Sequence, residues 1–176
     1  DGTTDGSTIS FGTLDFTDGT TTYTLTEGTD FTATKTFDSA NAGNHTVTVV
    51  VTLIGTAAET YTLKENTFAI NGTIQAVAPN LTVTLSSETC TVGEKILPLL
   101  SISGVEEEAA VTYYYTQFES MVGNSEYEGT YIPVLDENTS IDALDEENGN
   151  TYYIYAKTAA TVNYKEGMSE PVELTI

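Results

Sequence analysis

Apolar and polar residues alternate along this chain in short bursts, separated by Gly, Asn and Asp. The densest burst is residues 46–54, Thr-Val-Thr-Val-Val-Val-Thr-Leu-Ile, framed by Asn-Ala-Gly-Asn before it and Gly-Thr-Ala-Ala after it. A β-branched run of that length between turn residues predicts a core strand of an all-β domain. Upstream, residues 9–11 and 14–16 alternate weakly, and 21–25 alternate after the Asp18-Gly19 turn. Residues 31–37 alternate strictly, with Phe31, Ala33 and Phe37 on one face and three threonines on the other. Lys35 falls on the apolar face. Downstream, 61–63 and 68–74 complete the first set of expected strands.

Ala-Val-Ala-Pro-Asn at 76–80 is the natural seam, because Pro79 forces extended geometry on its predecessor and cannot donate to a ladder. The expected domains are therefore 1–78 and 79–176. The second half offers strands at 81–85, 97–102 (broken by Pro98), 111–118, 131–135, 141–144, 151–158 and 172–176. One helical turn fits near 118–122, and 145–150 form a strong turn. Strands this short at this spacing, with nothing of helical length or period, predict two tandem β-sandwiches rather than an α/β fold.

Composition narrows the functions. Five basic against 26 acidic side chains leave −21. The excess is uneven: two lysines meet nine acids in 1–78, and three meet seventeen in 79–176. Such a surface repels phosphate backbones and anionic membranes, and suits divalent cations. One cysteine, Cys90, rules out an internal disulfide. With His45 the sole histidine, a Cys/His metal site or a Ser-His-Asp triad has almost no raw material. No stretch is apolar enough to span a bilayer as a helix. The opening Asp-Gly-Thr-Thr, with no Met and no signal peptide, reads as a piece of a longer protein.

Two resemblances follow from these residues. Phe37, Asp38, Ala40, Asn41, Ala42 and Gly43, then the Val-rich strand, then Tyr-Thr-Leu at 61–63 and Gly-Thr-Ile at 72–74, resemble the YDG-type repeat of bacterial surface proteins. The match covers roughly 8–76, and the family's opening Tyr-Asp-Gly stands here as Thr17-Asp18-Gly19. Residues 81–176 resemble Ig-like or fibronectin-like repeats of Gram-positive surface proteins, on 112–115, 149–156, Tyr164 and the ending 169–176. The resemblance implies two tandem Ig-like β-sandwich domains. It also implies a stalk or adhesin segment, secreted or attached to the cell wall. Neighbouring tandem repeats and a host or bacterial surface glycan or protein are the implied partners.

Several residues are candidates for more than packing. Asp38 and Asn41 could ligate a cation, although Asp and Asn in such a loop ordinarily bond their own backbone. Asp136, Asp142 and Asp145, with Glu137, Glu146 and Glu147, could converge on calcium; the alternative is a solvated acidic end. Tyr113 and Tyr115 face opposite to Tyr114, and Tyr152 faces opposite to Tyr153 and Tyr155. Tyr114 and Tyr152 are the candidates for gripping a sugar ring or a partner, against cross-strand pairing within the sheet. The 106–108 acids fit an edge protected against aggregation, with a charged hairpin tip as the alternative. Lys35 is costly if buried without a partner. A snorkelling edge lysine or a β-bulge explains it; a Lys–Asn isopeptide bond, as in some Ig-like surface domains, is the alternative. Cys90 reads as a small buried hydrophobe and His45 as a loop-end residue. Paired carboxylates could mean a glycosidase, but nothing selects a pair, and with no Trp and no Arg a sugar cleft would be oddly equipped. The expectation is a non-catalytic structural and adhesion segment without a cofactor. An accessory carbohydrate-binding module of a secreted glycan-degrading enzyme is the alternative.

Overall fold

A computed structural model describes residues 5–6, 8–140 and 150–176. The β-branched run becomes the middle of a three-stranded antiparallel sheet. β1 is Thr13–Thr17, β2 Thr22–Thr26, β3 Phe31–Phe37, β4 Gly43–Leu53 and β5 Thr67–Ile74. The sheet order is β3-β4-β5, and β1 pairs with β2 as a separate hairpin. In β4, Val47, Val49 and Val51 are buried while Thr46, Thr48 and Thr52 alternate with them. One face of the sheet is therefore packed and the other wet, as antiparallel sheets allow. Burying each of these valines contributes about 1.5–2 kcal/mol. The hairpin closes the packed face: Leu25, Phe31, Phe37 and the three valines form one core, with Leu14 and Phe16 packed against it. The Phe16 and Phe31 rings meet edge-on at 6.1 Å.

Gly72 makes this closeness possible. It sits opposite His45 in the ladder, and a Cβ there would lie 2.7 Å from both the Phe37 ring and a Val47 methyl. After β4 the chain makes a six-residue helix, α1, Gly55–Thr60, which buries Ala57. At under two turns it is too short to show a helical period. Residues 61–63, expected as a strand, are extended at Tyr61 but pair with no strand among the described residues.

The second unit has β6, Thr82–Leu85, paired with β7, Leu100–Ser103. Its larger sheet holds β8, Val111–Thr116, β9, Val134–Leu135, β10, Thr151–Thr158, β11, Gly167–Met168, and β12, Val172–Thr175. β10 is central: β8 lies on one side, with β9 beyond it, and β12 and β11 share the other. Between β11 and β12 the ladder is interrupted at Ser169-Glu170-Pro171. Pro171 has no N–H, and the buried Ser169 hydroxyl accepts the Ala156 N–H at 3.0 Å. Ile154, Tyr155 and Ala156 are consecutive and all fully buried, so β10 is covered on both faces. One face packs on Cys90, Ile96, Leu135 and Leu174.

The expected breaks are filled by short elements. Pro98 lies in a 3-10 turn, Leu97–Leu99, and the turn expected near 118–122 is a second one, Glu119–Met121. The 106–108 acids form a tight turn, with the Ala109 N–H on the Glu106 carbonyl at 2.9 Å, rather than a strand edge. Gly104, at φ +78°, lets the chain pass the Asn80 carbonyl, which a Cβ would meet at 1.9 Å. The expected strand at 141–144 lies outside the described residues, as does nearly all of the expected 145–150 turn.

By contacts the chain divides into two compact units, Asp1–Gln75 and Ala76–Ile176. Val77 belongs with the second: its N–H bonds the Asn163 carbonyl, and its own carbonyl accepts from Lys165. The architecture is all-β, with antiparallel sheets and almost no helix. Among the described residues no helix is long and apolar enough to cross a membrane.

Candidate functional site

Tyr114 and Tyr152 lie on opposite faces of the same sheet. The ladder pairs Tyr155 with Tyr114 and Ile154 with Tyr115, so Tyr115, Tyr152 and Ile154 share the core face. Tyr114 stacks on Tyr155, with centroids 5.4 Å apart and planes 19° from parallel. Tyr155 is fully buried and donates its hydroxyl to Glu128 Oε1 at 2.9 Å. The same oxygen lies 2.6 Å from Lys157 Nζ. Burial first, then the bond to Glu128, pushes the Tyr155 phenol far above its ordinary value. Tyr114 therefore covers a buried polar cluster, whereas Tyr152 reaches an open hollow.

That hollow, of ≈ 260 Å³, is lined by Tyr115, Thr116, Gln117, Phe118, Met121, Tyr131, Pro133 and Tyr152. The Tyr115 and Tyr152 rings meet at 5.9 Å, tilted by 56°. Its outer wall comes from the segment between β8 and β9. The Thr116 hydroxyl receives the Phe118 N–H, and the Tyr127 carbonyl receives the N–H groups of Tyr131 and Ile132 at 2.7 and 2.8 Å. Ile132 is fully buried and anchors this wall, leaving Phe118 44% and Tyr131 69% exposed. Sequence reasoning missed both aromatics. Phe118 was expected at the end of a strand and Tyr131 at the start of one, where alternation hides exposure.

Of the acidic candidates, Asp136 and Asp38 are committed to turns. Asp136 Oδ1 accepts the Asn138 N–H and the Thr139 hydroxyl at 2.9 and 2.8 Å. The Thr139 hydroxyl and then the Asn138 N–H hold this carboxyl below its usual value. Asp142 and Asp145 lie outside the described residues. Asp38 accepts from the Thr46 N–H and faces His45 Nδ1 at 2.9 Å, while His45 Nε2 faces the Asn41 carbonyl at 2.7 Å. His45 thus clasps the 38–44 loop from within β4. Among the described residues, no group of three or more His, Cys, Asp and Glu side chains is placed to hold a metal ion.

Lys35 corrects a sequence expectation. β3 pairs with β4 residue for residue from Phe31 to Phe37, so there is no bulge within this ladder. Its side chain is 6% exposed and does not snorkel. Its ammonium instead forms an ion pair with Glu27 and lies 5.2 Å from the Phe11 ring centre. The group at its nitrogen is a carboxylate rather than an asparagine amide. Glu27 also accepts the Phe11 N–H at 2.9 Å. The Lys35 bond first, then the Phe11 N–H, keeps Glu27 below the usual carboxylate range. A signal for this partner existed in the sequence: a lysine on an apolar face needs an acid nearby, and Glu27 precedes the turn leading into β3. Cys90 sits in the second core, and burial pushes its thiol up. Compared with known proteins, the chain matches no protein-family model and no curated protein.

Proposed function

We propose that the chain is a non-catalytic structural and adhesion segment of an exported bacterial cell-surface protein, built as two Ig-like sandwiches in tandem. What carries this reading is the use made of its acids. Asp38 and Asp136 fasten turns, and Glu27 and Glu128 neutralise lysines in or beside the cores. These carboxylates serve the scaffold, and a free pair flanking a cleft is what a glycosidase would need. The YDG-like and Ig-like residue patterns support the surface setting, and the −21 charge suits a solvated spacer. Contact with a partner falls to Phe118 and Tyr131, large aromatic side chains open to solvent. The partner is a surface glycan or protein. Antibodies raised against the chain should label intact source cells without permeabilisation. Labelling that appears only after the cells are opened would overturn the surface setting.

A further inference from the structure

The first unit holds a groove of ≈ 680 Å³ between the β1–β2 hairpin and the segment that follows α1. That volume lies within the usual range of small-ligand sites. Its floor is apolar and includes the buried Leu25. Tyr23 of the hairpin and Tyr61 of the segment after α1, both half-buried, meet with their rings 5.1 Å apart and opened to 51°. Asp18, Lys64 and Glu65 complete the rim.

The rim is partly pre-set. Asp18 Oδ1 receives the N–H groups of Thr20 and Thr21, each at 2.8 Å, and Oδ2 receives the Tyr23 hydroxyl at 3.2 Å. The Thr21 N–H and then the Thr20 N–H hold the Asp18 carboxyl below its usual value. It therefore stays an anion, with an acceptor site left over on Oδ2. Lys64 is exposed and makes no ion pair among the described residues, so its three donors are open.

We propose that this groove binds a neutral oligosaccharide. The C–H face of a pyranose ring is apolar and weakly positive, and it suits the negative face of a tyrosine ring. Each sugar hydroxyl both donates and accepts, so it can serve Asp18 and Lys64 alike. A wholly apolar ligand would bury those two charges without partners. An anionic glycan would meet Asp18, Glu65 and a chain of net charge −21, with no arginine to grip a carboxylate. The site differs from the Phe118 and Tyr131 wall and holds wherever the chain is displayed, so its failure leaves the adhesion reading standing.

The test is an amide NMR titration of the full chain. The probes are neutral hexasaccharides of glucose, xylose, mannose and N-acetylglucosamine, with oligogalacturonate and a chitosan hexamer as charged comparisons. At least one neutral probe should shift the amides of Tyr23, Tyr61 and Lys64 and saturate in roughly the millimolar range or tighter. Tyr61→Ala should weaken that binding about tenfold or more. Because Tyr61 also packs on the core, Lys64→Ala is the second variant; it should weaken binding several-fold with every other amide unmoved. The proposal is overturned if no neutral probe moves these amides at about 10 mM. It is equally overturned if only the charged probes do so, or if both variants bind like the parent chain.

Discussion

Replacing Glu27 with Gln removes one charge and almost no volume, and it leaves Lys35 buried with its charge unmatched. Breaking a buried pair in this way costs about 3–5 kcal/mol. Here Glu27 is 18% exposed against 6% for Lys35, and the Gln oxygen can still accept from the Phe11 N–H. The expected loss is therefore reduced to about 2–3 kcal/mol. For a unit of this size that lowers Tm by roughly 10–20 °C. Lys35→Met should cost less, about 1–2 kcal/mol, because the remaining carboxylate keeps the Phe11 N–H and some water. The double variant, Glu27→Gln with Lys35→Met, should return to within about 1 kcal/mol of the parent, since no buried charge is left unmatched and the Gln amide oxygen still accepts the Phe11 N–H. Urea melts of the whole chain, followed through the amide signals of Val47, Val49 and Val51, measure all three. Acid supplies a second reading. The folded state lowers the Glu27 pKa, so its contribution is present above the ordinary carboxylate value and is lost as pH falls through the folded one. The gap between the parent and Glu27→Gln should close at low pH. A Gln variant within about 0.5 kcal/mol of the parent at pH 7, or a double variant as weak as the single, would refute the reasoning.

Three further outcomes follow from the packing. Gly104→Ala places a methyl into the Asn80 carbonyl at a φ of +78° and should cost more than about 3 kcal/mol, read as loss of the second unit's transition in circular dichroism. Gly72→Ala meets only a ring edge and a methyl and should cost about 1–3 kcal/mol in the first unit, by the same melts. Tyr155 has a raised pKa in the fold, so its contribution is present below the ordinary phenol value, about 10, and is lost as pH rises beyond it. Absorbance at alkaline pH should show the last phenolate appearing together with unfolding of the second unit, and Tyr155→Phe should move that unfolding to higher pH.

Where one face of a strand is packed and the other wet, the alternation was plain in the residues. β3 and β5 fall where Phe31, Phe37, Ile70 and Ile74 place them, and β4 surrounds its valines. β10 was found from its aromatic and β-branched content, yet its two buried faces gave no period to say which tyrosines were free. β9 is the last two residues of the strand expected at 131–135, whereas the two-residue β11 carries no pattern of its own and exists because β10 offers it a ladder. The 61–63 stretch shows the reverse: it alternates but has no ladder partner among the described residues. Exposure was the least legible property. Tyr131 and Phe118 are free because Ile132 and the turns around Tyr127 hold their loop, and those contacts connect residues through space rather than through spacing. The Lys35 partner was legible in principle, because burial of an ammonium demands a carboxylate.

The adhesion reading is tested most directly by coating beads with the full chain and measuring their retention under flow on spots of printed glycans and matrix proteins. The account predicts retention on at least one surface, reduced about tenfold by Phe118→Ser with Tyr131→Ser, two exposed changes expected to shift stability by less than about 0.5 kcal/mol each. Beads carrying the parent chain that detach from every surface as readily as uncoated ones would contradict it. So would retention that the double substitution leaves unchanged.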